Sequence, residues 1–135
     1  MNTKIKNVCC LYRTVAITAR DHADMEVQRN ECHEFVKAHG WNLLREFWQS
    51  QADNDDVALF TDDAILELRA GAEQKQFDIL LVHRFKHIGR TAFESPFAAC
   101  FFDKTGIEVW AVQEGRWDSE EFETILSTWS NEMFN

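Results

Sequence analysis

Four compact apolar runs alternate with longer stretches of helical period. The runs NVCCLYRTV (7–15), WNLLREFW (41–48), FDILLV (77–82) and IEVWAV (107–112) are rich in β-branched and aromatic residues and predict strands. FDILLV is apolar without alternation, the pattern of a central parallel strand covered on both faces. Between the runs the spacing changes to i, i+3, i+4. From Asp24, a plausible N-cap, Cys32, Phe35 and Val36 form one stripe, and Gly40 is a natural stop. Thr61, Asp62 and Asp63 open a second helix, with Ile65, Leu68 and Ala72 on its inner face. Ser95-Pro96 opens a third, with Phe97, Cys100 and Phe101 as its buried face and Gly106 as its end. A last stripe of Phe122, Ile125, Leu126, Trp129 and Met133 suits packing on its own domain or on a second subunit. This alternation predicts an α/β fold, three-layered α/β/α, with a mostly parallel central sheet of about four to five strands.

Composition narrows the class. At 135 residues the chain fits one domain with a real core, and its single proline and five glycines leave no room for low-complexity sequence. No apolar run approaches the roughly 18 residues of a membrane span, and MNTKIKNVCC lacks the apolar core of a signal peptide, so a cytoplasmic location is expected. Cys9, Cys10, Cys32 and Cys100 have no C-x-x-C spacing and read as buried thiols, adjacent Cys9 and Cys10 facing opposite ways on a strand. Net charge is −9, and from Trp117 to Asn135 there is no Lys or Arg but five acids, a segment that repels DNA.

In an open α/β sheet the working crevice lies beyond the carboxyl ends of the strands. RTVAITARDHAD, QSQADNDD and HRFKHIGR all meet there. The first loop has no glycine, which excludes a dinucleotide turn and a P-loop. No aspartate ends the third strand, as a phosphoacceptor domain requires. His83 and His87 are spaced as two metal ligands would be on a helix, but they straddle a strand end among Arg84, Lys86 and Arg90, which oppose a cation. His22, His33 and His39 read as surface or helix-face residues. No metal and no cofactor are expected.

The order of segments resembles the catalytic domain of the resolvase/invertase family of serine recombinases over nearly the whole chain. CCLYRTVA is similar to that family's first strand with its Tyr-x-Arg-Val-Ser or Tyr-Arg-Val-Ser ending. EVQRNECHEFVKAHGWNLLREF is similar to its first helix and second strand. FDILLVHRFKHIGR resembles its third strand and Asp-Arg-Leu-Gly-Arg motif, and GIEVWAVQEG its fourth strand. The resemblance implies a resolvase-like α/β domain over 1–116, with 117–135 as the start of the family's dimerisation helix. It also implies DNA as partner and homo- or hetero-oligomers through that helix. The family's serine attacks a DNA phosphodiester to form a 5′-phosphoserine link, and arginines surround the spread negative charge of the transition state.

Position by position, most of that set is replaced. Arg13 and Arg90 match family arginines. The nucleophile position falls on Val15 if Arg13 is the family arginine, or on Ala16 if Tyr12 is the family tyrosine with one spacer. Lys86 stands for the motif's Asp, His87 for its first Arg, and Asp62 lies near the family's mid-chain Arg-Pro. The resemblance therefore implies a site-specific recombinase domain that has lost strand cleavage, with weak or no DNA binding by this acidic chain alone. Two alternatives stay open. One is an active domain using Thr14 as an unorthodox nucleophile with Arg13 and Arg90 on the phosphate. The other is a small anion- or nucleotide-binding, or protein-interaction, module on the same fold. No helix-turn-helix or cysteine-rich ribbon follows in the sequence, which suits either an excised N-terminal domain or a protein lacking a DNA reader.

Overall fold

A computed structural model describes residues 4–14, 19–50, 63–89 and 95–120. In chain order they form β1 (Asn7–Thr14), α1 (Ala19–Ala38), β2 (Asn42–Ser50), α2 (Asp63–Glu73), β3 (Ile79–Val82), a 3-10 turn (Phe85–His87), α3 (Ser95–Lys104), β4 (Glu108–Ala111) and β5 (Gly115–Arg116). The sheet order is β2-β1-β3-β4-β5, the first four parallel and β5 antiparallel to β4. Parallel pairs need crossover helices, and these supply the outer layers.

The period of two along the strands divides the core. Val8, Cys10, Tyr12, Ile79 and Leu81 meet Cys32 and Val36 of α1 on one face. On the other, Cys9, Leu11, Leu80, Val82 and Val109 meet Ile65 and Leu68 of α2 and Ala99 and Phe102 of α3. Cys9 and Cys10 therefore do face opposite ways, and both thiols are buried and free. All four β3 residues are buried, as the unbroken apolar run predicts of a strand covered on both faces. Gly40 ends α1 at φ +68° and Gly106 ends α3 at φ +90°, left-handed positions that favour glycine.

Three expectations need correction. The helix α1 begins at Ala19, so Asp24 is an exposed position inside it and not its N-cap. The strand β2 runs on to Ser50, so Gln49 belongs to the sheet and is buried, and its Oε1 accepts the Ala64 N–H at 3.1 Å where α2 begins. The inner face of α3 is Ser95, Ala98, Ala99 and Phe102, while Phe97 is 40% exposed. Small alanines let this helix lie close on the sheet, and the larger aromatic stripe is turned to its flank. The sheet of five strands agrees with the expected four to five: beyond the four that the apolar runs marked, β5 closes a hairpin through Gly115 at φ +89°.

Candidate functional site at the carboxyl edge of the sheet

The strand β3 is four residues long and pairs β1 only from Val8 to Leu11, so Arg13 extends past it. The side-chain amide of Gln28 on α1 takes the place of the missing strand. Its Oε1 accepts the Arg13 N–H at 3.1 Å and its Nε2 donates to the Arg13 carbonyl at 3.0 Å. Gln28 is itself buried. Both polar groups of a buried peptide are thereby satisfied by one side chain.

The Arg13 side chain is 5% exposed. Its Nε donates to the His87 carbonyl at 2.8 Å and its Nη2 to the Ile88 carbonyl at 3.2 Å. The guanidinium thus bolts the segment after β3 to β1. Other elements hold the same segment. The Ser95 hydroxyl of α3 accepts the Gly89 N–H at 3.0 Å and donates to the Lys86 carbonyl at 2.9 Å. A Glu114 oxygen accepts the Phe85 N–H at 3.1 Å. Ile88 is fully buried in the α2/α3 core. Arg13, Gln28, Ser95 and Ile88 together make a rigid turn of a stretch that reads in sequence as a charged loop.

Charge is distributed unevenly around this turn. Arg84 and Lys86 are exposed, and His83 is buried with its Nε2 hydrogen-bonded to the Glu31 carboxylate of α1. The His87 ring stacks near-parallel to His83, centroids 6.2 Å apart, and among the described residues its buried Nδ1 has no hydrogen-bond partner. Burial, and then electrostatic repulsion from His83, Lys86, Arg84 and Arg13, push the His87 imidazole down to about 4 from its usual 6.5. At neutral pH that ring carries no charge. Asp24, Val27 and Gln28 of α1 with His83, Arg84, Lys86 and His87 enclose a cleft of about 180 Å³.

Of the candidates from sequence, Arg13, Lys86 and His87 come together at this edge. Thr14 ends β1 opposite Ser50, and its side chain lies outside the described residues, as do Val15, Ala16, Asp62 and Arg90. Sequence reasoning passed over Gln28, Ser95 and Glu31. A glutamine and a glutamate on a helix carry no signal of their own, and Ser95 was legible only as a helix start. Among the described residues no three His, Cys, Asp or Glu side chains converge as metal ligands, and no helix is long and apolar enough to cross a membrane.

A second polar node ties α1 to the edge strand β2. The Tyr12 hydroxyl donates to Glu46 Oε1 at 2.8 Å, His33 Nε2 is hydrogen-bonded to the same oxygen, and Arg29 Nε lies 3.4 Å from it. Burial pushes the Glu46 carboxyl up, but the hydrogen bonds from His33 and Tyr12 and the charges of His33 and Arg29 outweigh it and hold the group below its usual range. His33 is accordingly a half-buried partner of a carboxylate, while His39 is an exposed ring stacked on Phe35 and Trp41.

A 2-1-3-4 parallel order with a reversed fifth strand, and a basic turn set against the end of β1, define a resolvase-type α/β domain. The family model of the resolvase N-terminal domain matches residues 10–132, and the chain belongs to that family. No curated protein sequence matches it. Among solved structures it is similar to the N-terminal catalytic domain of TP901-1 integrase, at TM-score 0.71 and 19% identity over 96% of this chain and 100% of that one. It is also similar to a resolvase family site-specific recombinase from Streptococcus pneumoniae, at TM-score 0.73 and 13% identity over 96% and 89%. The C-terminal catalytic domain of ISC1926 TnpA, an IS607-like serine recombinase, aligns at TM-score 0.61 and 16% identity over 95% and 85%. At these identities the likeness establishes the shared fold.

Proposed function

We propose that this chain is a catalytically silent serine-recombinase domain that retains the fold for association with protein partners through residues 117–135. The observation that carries this reading is the state of the edge where a phosphate would sit. The Arg13 guanidinium is turned inward onto the His87 and Ile88 carbonyls. The residue at the motif's first arginine position is an uncharged imidazole, and a lysine holds the position of its aspartate. Phosphoryl transfer depends on fixed positive charge around the transferred group, and losing one such donor typically costs about 10²–10³ in rate. Neither register of the first strand supplies a serine.

The test is a trap for the covalent intermediate. The full chain is incubated with random-sequence duplex DNA, digested with nuclease, and searched by mass spectrometry for nucleotide-linked peptides. The proposal expects none. A phosphonucleotide on Thr14, lost in Thr14→Ala, would overturn it in favour of an active domain with an unorthodox nucleophile. A second reading, a small oxyanion site, has the cleft rimmed by Arg84 and Lys86 in its favour. It requires a rise in melting temperature with millimolar phosphate that Lys86→Ala removes, and a flat response to phosphate and sulfate would eliminate it.

A further inference from the structure

Two imidazoles share the cleft at the carboxyl edge, and their surroundings differ. His83 is buried, and its Nε2 lies against the Glu31 carboxylate of α1, with the Gln113 Nε2 3.3 Å away. A carboxylate partner fixes Nε2 as a protonated nitrogen and orients the ring, which leaves Nδ1 for a second proton. His87 has no such partner. Its Nδ1 is buried without a hydrogen bond, so nothing fixes the tautomer, and the uncharged ring can present a lone pair at Nε2. The two rings lie 16° from parallel with centroids 6.2 Å apart, a separation that one phosphodiester group can bridge.

Around them the charge is the reverse of the chain's. Arg84 and Lys86, both exposed, line this cleft of about 180 Å³ against one acid, Asp24, while the whole chain carries −9. A lone-pair acceptor, a carboxylate-held imidazole and two cations are the parts of metal-free acid–base transfer at a phosphodiester. Paired titratable groups in contrasting environments divide the acid and base roles in this way. Among the described residues that line the cleft there is no hydroxyl, so the attacking oxygen has to come from the substrate. RNA carries one beside each phosphate, the 2′-hydroxyl, and DNA does not.

We propose that this cleft takes a short ribonucleotide phosphodiester and cleaves it by transesterification, with His87 as base and His83 as acid. The 2′-hydroxyl gives its proton to His87 Nε2, and its oxygen bonds to phosphorus. The bond from phosphorus to the 5′-oxygen breaks, and that oxygen takes the Nδ1 proton of His83. A 2′,3′-cyclic phosphate and a 5′-hydroxyl leave. A proton passed from His87 to water, and one from water to His83, restore the site. Lys86 and Arg84 hold the phosphate oxygens, and the acidic chain as a whole repels longer strands. This goes beyond the loss of DNA cleavage through a serine and is compatible with it.

The full chain incubated with the diribonucleotide UpA, without metal, tests it by chromatography of the products. The parent should release adenosine and uridine 2′,3′-cyclic phosphate and leave the deoxy analogue dTpA intact. A ring held near 4 is a weak base, so turnover is slow and is followed over hours. A positioned acid or base typically contributes about 10²–10⁴-fold, so His87→Gln and His83→Gln, purified identically, should each be slower by about 100-fold or more. Lys86 is exposed, so Lys86→Ala keeps the fold, and its kcat/KM should fall by about ten-fold or more. No cleavage by the parent, or equal rates in the parent, His87→Gln and Lys86→Ala, as a contaminating ribonuclease would give, would overturn the proposal. Stabilisation by phosphate without turnover would also overturn it and leave the oxyanion reading standing. None of these results bears on association through 117–135 or on the trap for a covalent DNA intermediate.

Discussion

Replacing Arg13 with methionine is the most informative perturbation of the carboxyl edge. The change keeps much of the aliphatic stem and removes the two bonds by which Arg13 holds the turn after β3. Each is donated by a charged group to a buried backbone carbonyl, an interaction worth about 1.5–3 kcal/mol. Removing the guanidinium also relieves its own desolvation, which offsets part of the loss. The balance is a destabilisation of about 3 kcal/mol, large against the about 5–15 kcal/mol total of a single domain. In a chain of 135 residues this corresponds to a fall in melting temperature of roughly 10 °C. Urea unfolding followed by circular dichroism measures it, with the denaturant slope unchanged. Arg13→Lys should recover less than half, because an ammonium does not present the planar fork that reaches two adjacent carbonyls. A loss below about 0.5 kcal/mol for Arg13→Met would refute the reasoning, since the turn would then stand without Arg13.

Other predictions probe the same node and its neighbour. Gln28→Ala leaves the Arg13 N–H and carbonyl without their partner and should cost about 3 kcal/mol in urea unfolding. Gln28→Glu should be as damaging at pH 7, where a carboxylate faces the Arg13 carbonyl. Measured against the parent at each pH, it should recover in acid as the neutral carboxyl regains a donor. His87 makes stability pH-dependent: its folded value of about 4 lies below the ordinary 6.5, so the unfolded chain binds the proton first. That contribution is complete above about pH 7 and is lost as pH falls from 6.5 toward 4. Discounted for the ring's partial exposure it amounts to about 2 kcal/mol. Urea midpoints at pH 7 and 4.5 should show a smaller gap in His87→Gln than in the parent. Tyr12→Phe deletes a single bond to Glu46 and should cost about 1 kcal/mol by the same assay.

The pattern of apolar positions carried the architecture because burial on two faces leaves a direct trace. The unbroken ILLV of β3 marks a strand covered on both sides, and adjacent Cys9 and Cys10 sort to opposite faces by the period of two. Faces were less legible where two stripes compete. In α3 both Phe97/Phe101 and Ala98/Phe102 have helical spacing, and only the close approach of the alanines to the sheet selects the second. The two-residue β5 is too short for any periodicity to register.

The site was legible by position and not by partner. HRFKHIGR was identified as the edge of interest, but the groups that Arg13 grips are backbone carbonyls 74 and 75 residues away, which no side-chain pattern encodes. The same holds for His83, whose Glu31 partner sits 52 residues earlier on α1. A basic stretch in sequence is thus resolved into two solvated cations, a neutral ring and a histidine held by a carboxylate.

The proposed loss of strand cleavage rests on an Arg13 guanidinium turned onto backbone carbonyls and on an uncharged His87 ring. Titration of the His87 ring by nuclear magnetic resonance, assigned with His87→Gln, tests it most directly. The account predicts an imidazole that stays neutral down to about pH 4. A ring that takes up its proton above neutral pH would place a cation where the resemblance aligns the family's arginine, and would contradict the proposal.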